Sequence, residues 1–181
     1  MTTNGKVKPD FWNEISLDET PASGWQRLTV DSVDTVKTGN DYSWLGDQIQ
    51  VQLRCLVTEG KFVGTSANCT LRVGGSEGTT RDGRAFTISE GDSLNTALAR
   101  IGRILNCQET GHWPDLDRPT ELLSEAKLQS VAESMQGSTF FGQLSTNDNG
   151  YTNVGNGKTH VRAISNPPEV FATAVPDDFS A

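Results

Sequence analysis

Between Ile49 and Val73 the chain alternates apolar and polar residues twice over, with a glycine-bearing turn between the two runs. Ile49, Val51, Leu53, Cys55 and Val57 fall at every second position, separated by Gln50, Gln52, Arg54 and Leu56. Successive side chains of a strand point to opposite faces, so this spacing predicts a strand with one apolar face and one mostly polar face. Beyond Gly60 and Gly64 the pattern resumes. Ala67, Cys69, Leu71 and Val73 alternate with Ser66, Asn68, Thr70 and Arg72. Pairing the two runs gives a hairpin whose buried face joins a core and whose wet face carries Arg54 and Arg72. That wet face is the expected working surface.

The rest of the chain reads in order around this hairpin. Residues 1–23 are polar, contain Pro9 and Pro21, and are expected to form an extended arm. Residues 25–36 read as a first strand, with Leu28 and Val30 in one phase and Val33 in the other. A slip of one residue inside a strand is what a β-bulge produces, and it lets the strand bend around a barrel. Residues 74–83 (GGSEGTTRDG) read as a flexible polar loop. Ser89 with Asp92 three residues later resembles a helix N-cap. Leu94, Ala97, Leu98, Ile101 and Leu105 then recur at helical spacing, with Arg100 and Arg103 off the apolar stripe. A second helix is expected from about residue 120 to Met135, stopped by Gly137. Strands follow at 139–145, 151–154 and 158–164. Phe140 and Phe141 are neighbours on a strand, so one should be core and the other surface.

This order predicts a mainly β, α+β domain over residues 24–168, with two helices. The expected architecture is an OB-like antiparallel barrel of five to six strands, with the helices inserted before the last hairpin. An open α+β sheet is the alternative. Residues 169–181 form the expected tail.

No apolar run approaches the roughly 20 residues that span a bilayer, and residues 1–10 lack the apolar segment of a signal peptide. The expected compartment is therefore the cytoplasm, with Cys55, Cys69 and Cys107 reduced. Two of these cysteines sit on the apolar face of the hairpin, where they serve as small hydrophobes. The net charge of −8 argues at first against nucleic acid. Its distribution softens the objection: residues 1–48 carry −4, residues 105–181 carry −6, and residues 49–104 carry +2. The positive charge collects around the hairpin, so the whole-chain balance is a poor guide to the local field.

Catalytic signatures are missing. Three scattered cysteines with His112 and His160 offer no pair at zinc-ligand spacing, so no metal and no cofactor is expected. Gly78-x-x-x-x-Gly83-Arg84-Ala85 imitates a phosphate loop but lacks the Lys and the following Ser or Thr. No nucleophile elbow is present. Nothing in the residues points to an enzyme. A binding surface remains. Proteins that hold single strands combine a positive groove with aromatic rings on which bases stack, at about 1–3 kcal/mol per base. The candidates are Tyr42, Trp44, Phe86 and Tyr151 for stacking, with Lys37, Arg54, Arg72, Arg81, Arg84 and Lys158 for phosphates.

Two segments carry a resemblance to a known family. Gly60-Lys61-Phe62-Val63-Gly64, and Gly142-Gln143-Leu144 with Gly150-Tyr151-Thr152-Asn153-Val154, resemble phage-encoded OB-fold proteins assigned as single-stranded DNA-binding proteins. The likeness in layout covers roughly residues 24–168. It implies a non-catalytic protein that coats single-stranded DNA during replication or recombination in the host cytoplasm, with weak sequence preference. The end of the chain, with Asp177, Asp178 and Phe179, is similar to the acidic tips by which such proteins dock on replication or recombination partners. It differs in holding only two acids and in continuing to Ser180 and Ala181. The alternative expectation is a virion, assembly or interaction module whose basic face meets an acidic protein. The sequence leaves open the number of copies in any homo-oligomer and the choice between DNA and RNA.

Overall fold

The computed structural model describes residues 20–107 and 116–171. The arm before residue 20, His112, and the tail tip with Asp177, Asp178 and Phe179 lie outside the described residues. The two alternating runs form β2 (Ile49–Val57) and β3 (Ser66–Val73), paired antiparallel with Gln50 opposite Arg72 and Leu53 opposite Cys69. β1 (Gly24–Val33) lies on the other side of β2, and their register shifts between Val30 and Ser32, as the phase slip predicted. The bulge lets β1 curl until its first half pairs with β6 (Thr139–Thr146), from Gly24 opposite Leu144 to Thr29 opposite Thr139. β7 (Thr152–Val154) pairs antiparallel with β6 and meets β3 in parallel at Asn68 and Asn153. The barrel thus closes in the order β1-β2-β3-β7-β6, and β8 (Val161–Ala163) extends the edge of β6.

This is an OB-like, mainly β fold with helices. The β3–β7 seam makes it a mixed barrel rather than a wholly antiparallel one, and the β1–β6 pairing rules out the open sheet. Closure brings β1 and β6 close together inside the barrel. A Cβ on Gly142 would lie 2.7 Å from Leu28 Cδ1, so this position accepts no larger side chain without displacing the core.

The inward side chains of β2 and β3 join Leu28, Val30, Phe140 and Val161 in one core. Burying each such Val, Leu or Phe contributes about 1.5–3 kcal/mol. α1 (Glu90–Leu105) starts at Ser89, whose hydroxyl accepts from Asp92 N, and packs on β3, β6 and β8. α2 (Glu125–Ser134) packs on β1 and β2. It begins later than its apolar spacing suggested, because residues 119–123 wind as a 3-10 helix and Ser124 caps the true helix.

Four local expectations are corrected. Residues 74–83 are no loose loop: β4 (Ser76–Thr79) pairs with β5 (Ala85–Ile88) in a separate two-stranded sheet. Residues 158–160 form a 3-10 turn, so the last strand is only β8. Phe141, on the outside of the barrel, is buried as fully as Phe140 because the ring of Phe171 covers it at 4.8 Å. Arg100, placed off the apolar stripe, is 1% exposed. The buried face of α1 runs through Ser93, Ala97, Arg100 and Ile104, rotated from the stripe that the apolar residues alone defined. Arg100 Nη1 donates to the carbonyls of Gly155 (2.5 Å) and Gly157 (2.9 Å), so it ties the loop after β7 to the helix.

Candidate nucleic-acid interface

The outward face of β2 and β3 begins at a row of three residues. Lys37 and Gln50 exchange backbone hydrogen bonds of 2.7 and 2.9 Å, and Gln50 in turn stands opposite Arg72. Side chains directly opposite on antiparallel segments share one face and sit about 5 Å apart. Arg72 donates from Nε (2.9 Å) and Nη2 (2.6 Å) to Gln50 Oε1. Its guanidinium lies over the Trp44 ring at 5.1 Å. Trp44 stacks on Tyr42 with ring centroids 5.7 Å apart and planes 12° from parallel.

The β1–β2 connection that carries these rings is held at several points. Asp41 accepts from Thr38 N at 2.8 Å, and residues 43–45 wind into a 3-10 turn with Leu45 buried beneath them. Gln129 of α2 accepts from Val36 N (2.7 Å) and donates to Asp34 O (3.1 Å). On this fixed support Tyr42 is 41% and Trp44 62% exposed. A cleft of about 190 Å³ lies between Lys37, Tyr42, Trp44, Gln50 and Gln52.

Electrostatics separate the two arginines of the wet face. Arg54 makes a two-pronged ion pair with Asp34, at 2.8 and 3.1 Å, and the pairing raises its pKa. Its charge is largely answered within the molecule. Arg72 has no carboxylate partner among the described residues, and partial burial lowers its pKa. A guanidinium that has already shed part of its hydration loses less on meeting a new partner.

The other predicted residues spread over three places. Arg81, Arg84 and Phe86 lie on the β4–β5 hairpin. Arg84 is bound to Asp82 at 3.1 Å. The hydroxyl of Thr80 also donates to Asp82, and that bond, more than the arginine, lowers the Asp82 pKa. Phe86 stands opposite Gly78, and its ring fills the space where a Cβ would sit. Arg81 is exposed and has no ion-pair partner among the described residues. Tyr151, 62% exposed, lies two residues before the β3–β7 bridge, at the opposite end of β3 from Arg72. Six residues of strand put these ends about 20 Å apart. Lys158 belongs to the turn whose carbonyl Arg103 of α1 binds, directly after Gly157. Thus the fold brings together Lys37, Tyr42, Trp44, Arg54 and Arg72, with Tyr151 at the far end of the same strands.

Sequence reasoning missed Gln50, Asp34 and Arg100. Gln50 carried a signal, since it stands opposite Arg72 once the hairpin is paired. Asp34 carried none, because its reach to Arg54 depends on the bulge. Cys55 and Cys69 are buried, and burial raises both thiol pKa values, which keeps them inert. Among the described residues no group of three or more His, Cys, Asp or Glu is placed to hold a metal, and no helix is long and apolar enough to cross a membrane. No family model, no curated protein and no solved structure matches this chain.

Proposed function

We propose that the protein binds single-stranded DNA, without catalysis, across the outer face of β2 and β3. The observation that carries this reading is the exposed Tyr42–Trp44 stack beside Arg72, whose charge no carboxylate among the described residues answers, on an OB-like barrel. Folds of this kind bind oligonucleotides on the strand 2–3 face, between the loop joining strands 1 and 2 and the loop joining strands 4 and 5. Here the corresponding connections are β1–β2, which holds Trp44, and β6–β7, the fourth and fifth strands of this barrel, which holds Tyr151. One base stacks on Trp44, Arg72 and Lys37 meet neighbouring phosphates, and Tyr151 receives the strand about 20 Å further on, roughly three extended nucleotides away. The setting is phage DNA replication or recombination, which follows from the resemblance at residues 60–64 and 142–154.

Fluorescence anisotropy with a labelled oligothymidylate tests this at two salt concentrations. Binding at low salt is expected, weakening as salt rises with a log–log slope of about −0.7 for each phosphate contacted. Absence of binding at low salt sinks the proposal and leaves a protein-interaction module as the better account of the net charge.

A further inference from the structure

A cavity of about 350 Å³ opens beside the Trp44 cluster, bounded by the outer side of β3, the end of β5 and the first turns of α1. Arg72 belongs to both places. Its guanidinium covers Trp44, and its side chain also forms part of the cavity wall. The volume lies at the small end of the range for ligand pockets, about 300–1,000 Å³. Ile88 and Ala97 give the cavity apolar walls, while Thr70, Thr96 and Asn156 supply a few polar groups. Ile88, 40% exposed, is the most open apolar residue of this lining.

Arg72 brings unspent donors to this cavity. Arg72 gives two hydrogen bonds to Gln50 out of the five N–H groups of a guanidinium. Arg100 stands behind the inner wall, its Nη groups already donating to Gly155 O, Gly157 O and Cys69 Sγ. Apolar walls with donors at one side fit a flat, neutral ring bearing carbonyl or ring-nitrogen acceptors. A phosphate fits poorly, because Asp92 also stands on the wall.

Resting on strand binding at Trp44, we propose that this cavity receives one unstacked nucleobase of the bound strand, adjacent to the base stacked on Trp44. Arg72 then sits between the two sites, with its ring-facing side on Trp44 and an edge of its guanidinium toward the cavity.

The test is photo-crosslinking with an oligonucleotide containing 5-iododeoxyuridine, read by peptide mapping, together with two blocking variants. Thr96→Met fills the cavity from α1 with a longer side chain of better helix propensity. Asn156→Leu fills it from the exposed loop after β7. The expected result is adducts on residues 88–100 or on Asn156, lost in both variants, with affinity falling about tenfold, within the worth of one buried base. Retained binding at Trp44 with no adduct in the cavity, and unchanged affinity in the two variants, overturns the cavity as a base site and leaves the DNA-binding reading standing. No binding by the unaltered protein at low salt overturns both.

Discussion

The β1–β2 loop and the β4–β5 hairpin contain the same kinds of residue and hold them in opposite ways. Each offers aromatic side chains and cations beside glycine-rich turns. In the hairpin, Phe86 lies across Gly78 and Arg84 is bound to Asp82. A glycine in a strand leaves a gap, and the opposite ring packs over it, so one face of Phe86 is turned to the hairpin while the residue stays 38% exposed. In the loop, Trp44 rests on Tyr42, and its exposed ring lies beside an arginine whose side-chain acceptor, among the described residues, is a neutral amide. The difference teaches that ring and charge count for binding only when intramolecular partners have not already claimed them.

Substitutions at the two places should therefore behave differently, and the largest contrast is expected at the rings. Trp44→Ala should weaken oligothymidylate binding about tenfold or more, the worth of one stacked base, while changing stability by under about 0.5 kcal/mol. Anisotropy and thermal melts measure the two quantities. Equal binding by the variant and the wild type would erase the distinction between the regions. Next come the arginines. Arg72→Gln should lower affinity severalfold and reduce the salt slope by about 0.7, whereas Arg84→Gln should leave the slope unchanged. Titrations over a salt series decide this, and equal slopes for the two variants would count against the assignment.

A gain is expected from Asp34→Asn. The change releases Arg54 from its ion pair and removes a negative charge from the strand's path. Affinity at low salt should rise about two- to threefold, and the exposed pair should cost less than about 1 kcal/mol of stability when lost. A drop in affinity would mean that the Asp34–Arg54 pair itself shapes the surface. The smallest effect belongs to Phe86→Ala. Binding should stay within about twofold of wild type, while amide exchange at residues 76–79 and 85–88 speeds up, because one cross-strand contact worth about 0.2–1 kcal/mol is gone. A tenfold loss of binding instead would bring the hairpin into the interface.

Much of this molecule was readable before folding. The alternation at Ile49–Val57 and Ser66–Val73 defines both faces of the central hairpin, and the phase slip after Val30 marks the bulge where it occurs. Helix α1 follows from its cap and its period. The candidate site was legible only as residue types. Lys37, Tyr42, Trp44, Arg54 and Arg72 cluster, but nothing local to them showed that Gln50 and Asp34 would bind the two arginines.

By itself the sequence determined which side of β2 and β3 enters the core, where β1 bends and where α1 falls, since these depend on periods of two and 3.6 along a short stretch of chain. Tertiary structure alone decided which charges remain open. Arg54 is spent on Asp34 twenty residues away, Arg100 is drawn inside to hold the loop at Gly155, and Arg72 is left facing Trp44. Electrostatic and hydrogen-bond partnerships act through space over a few ångströms, so they are set by barrel closure rather than by neighbours in the chain.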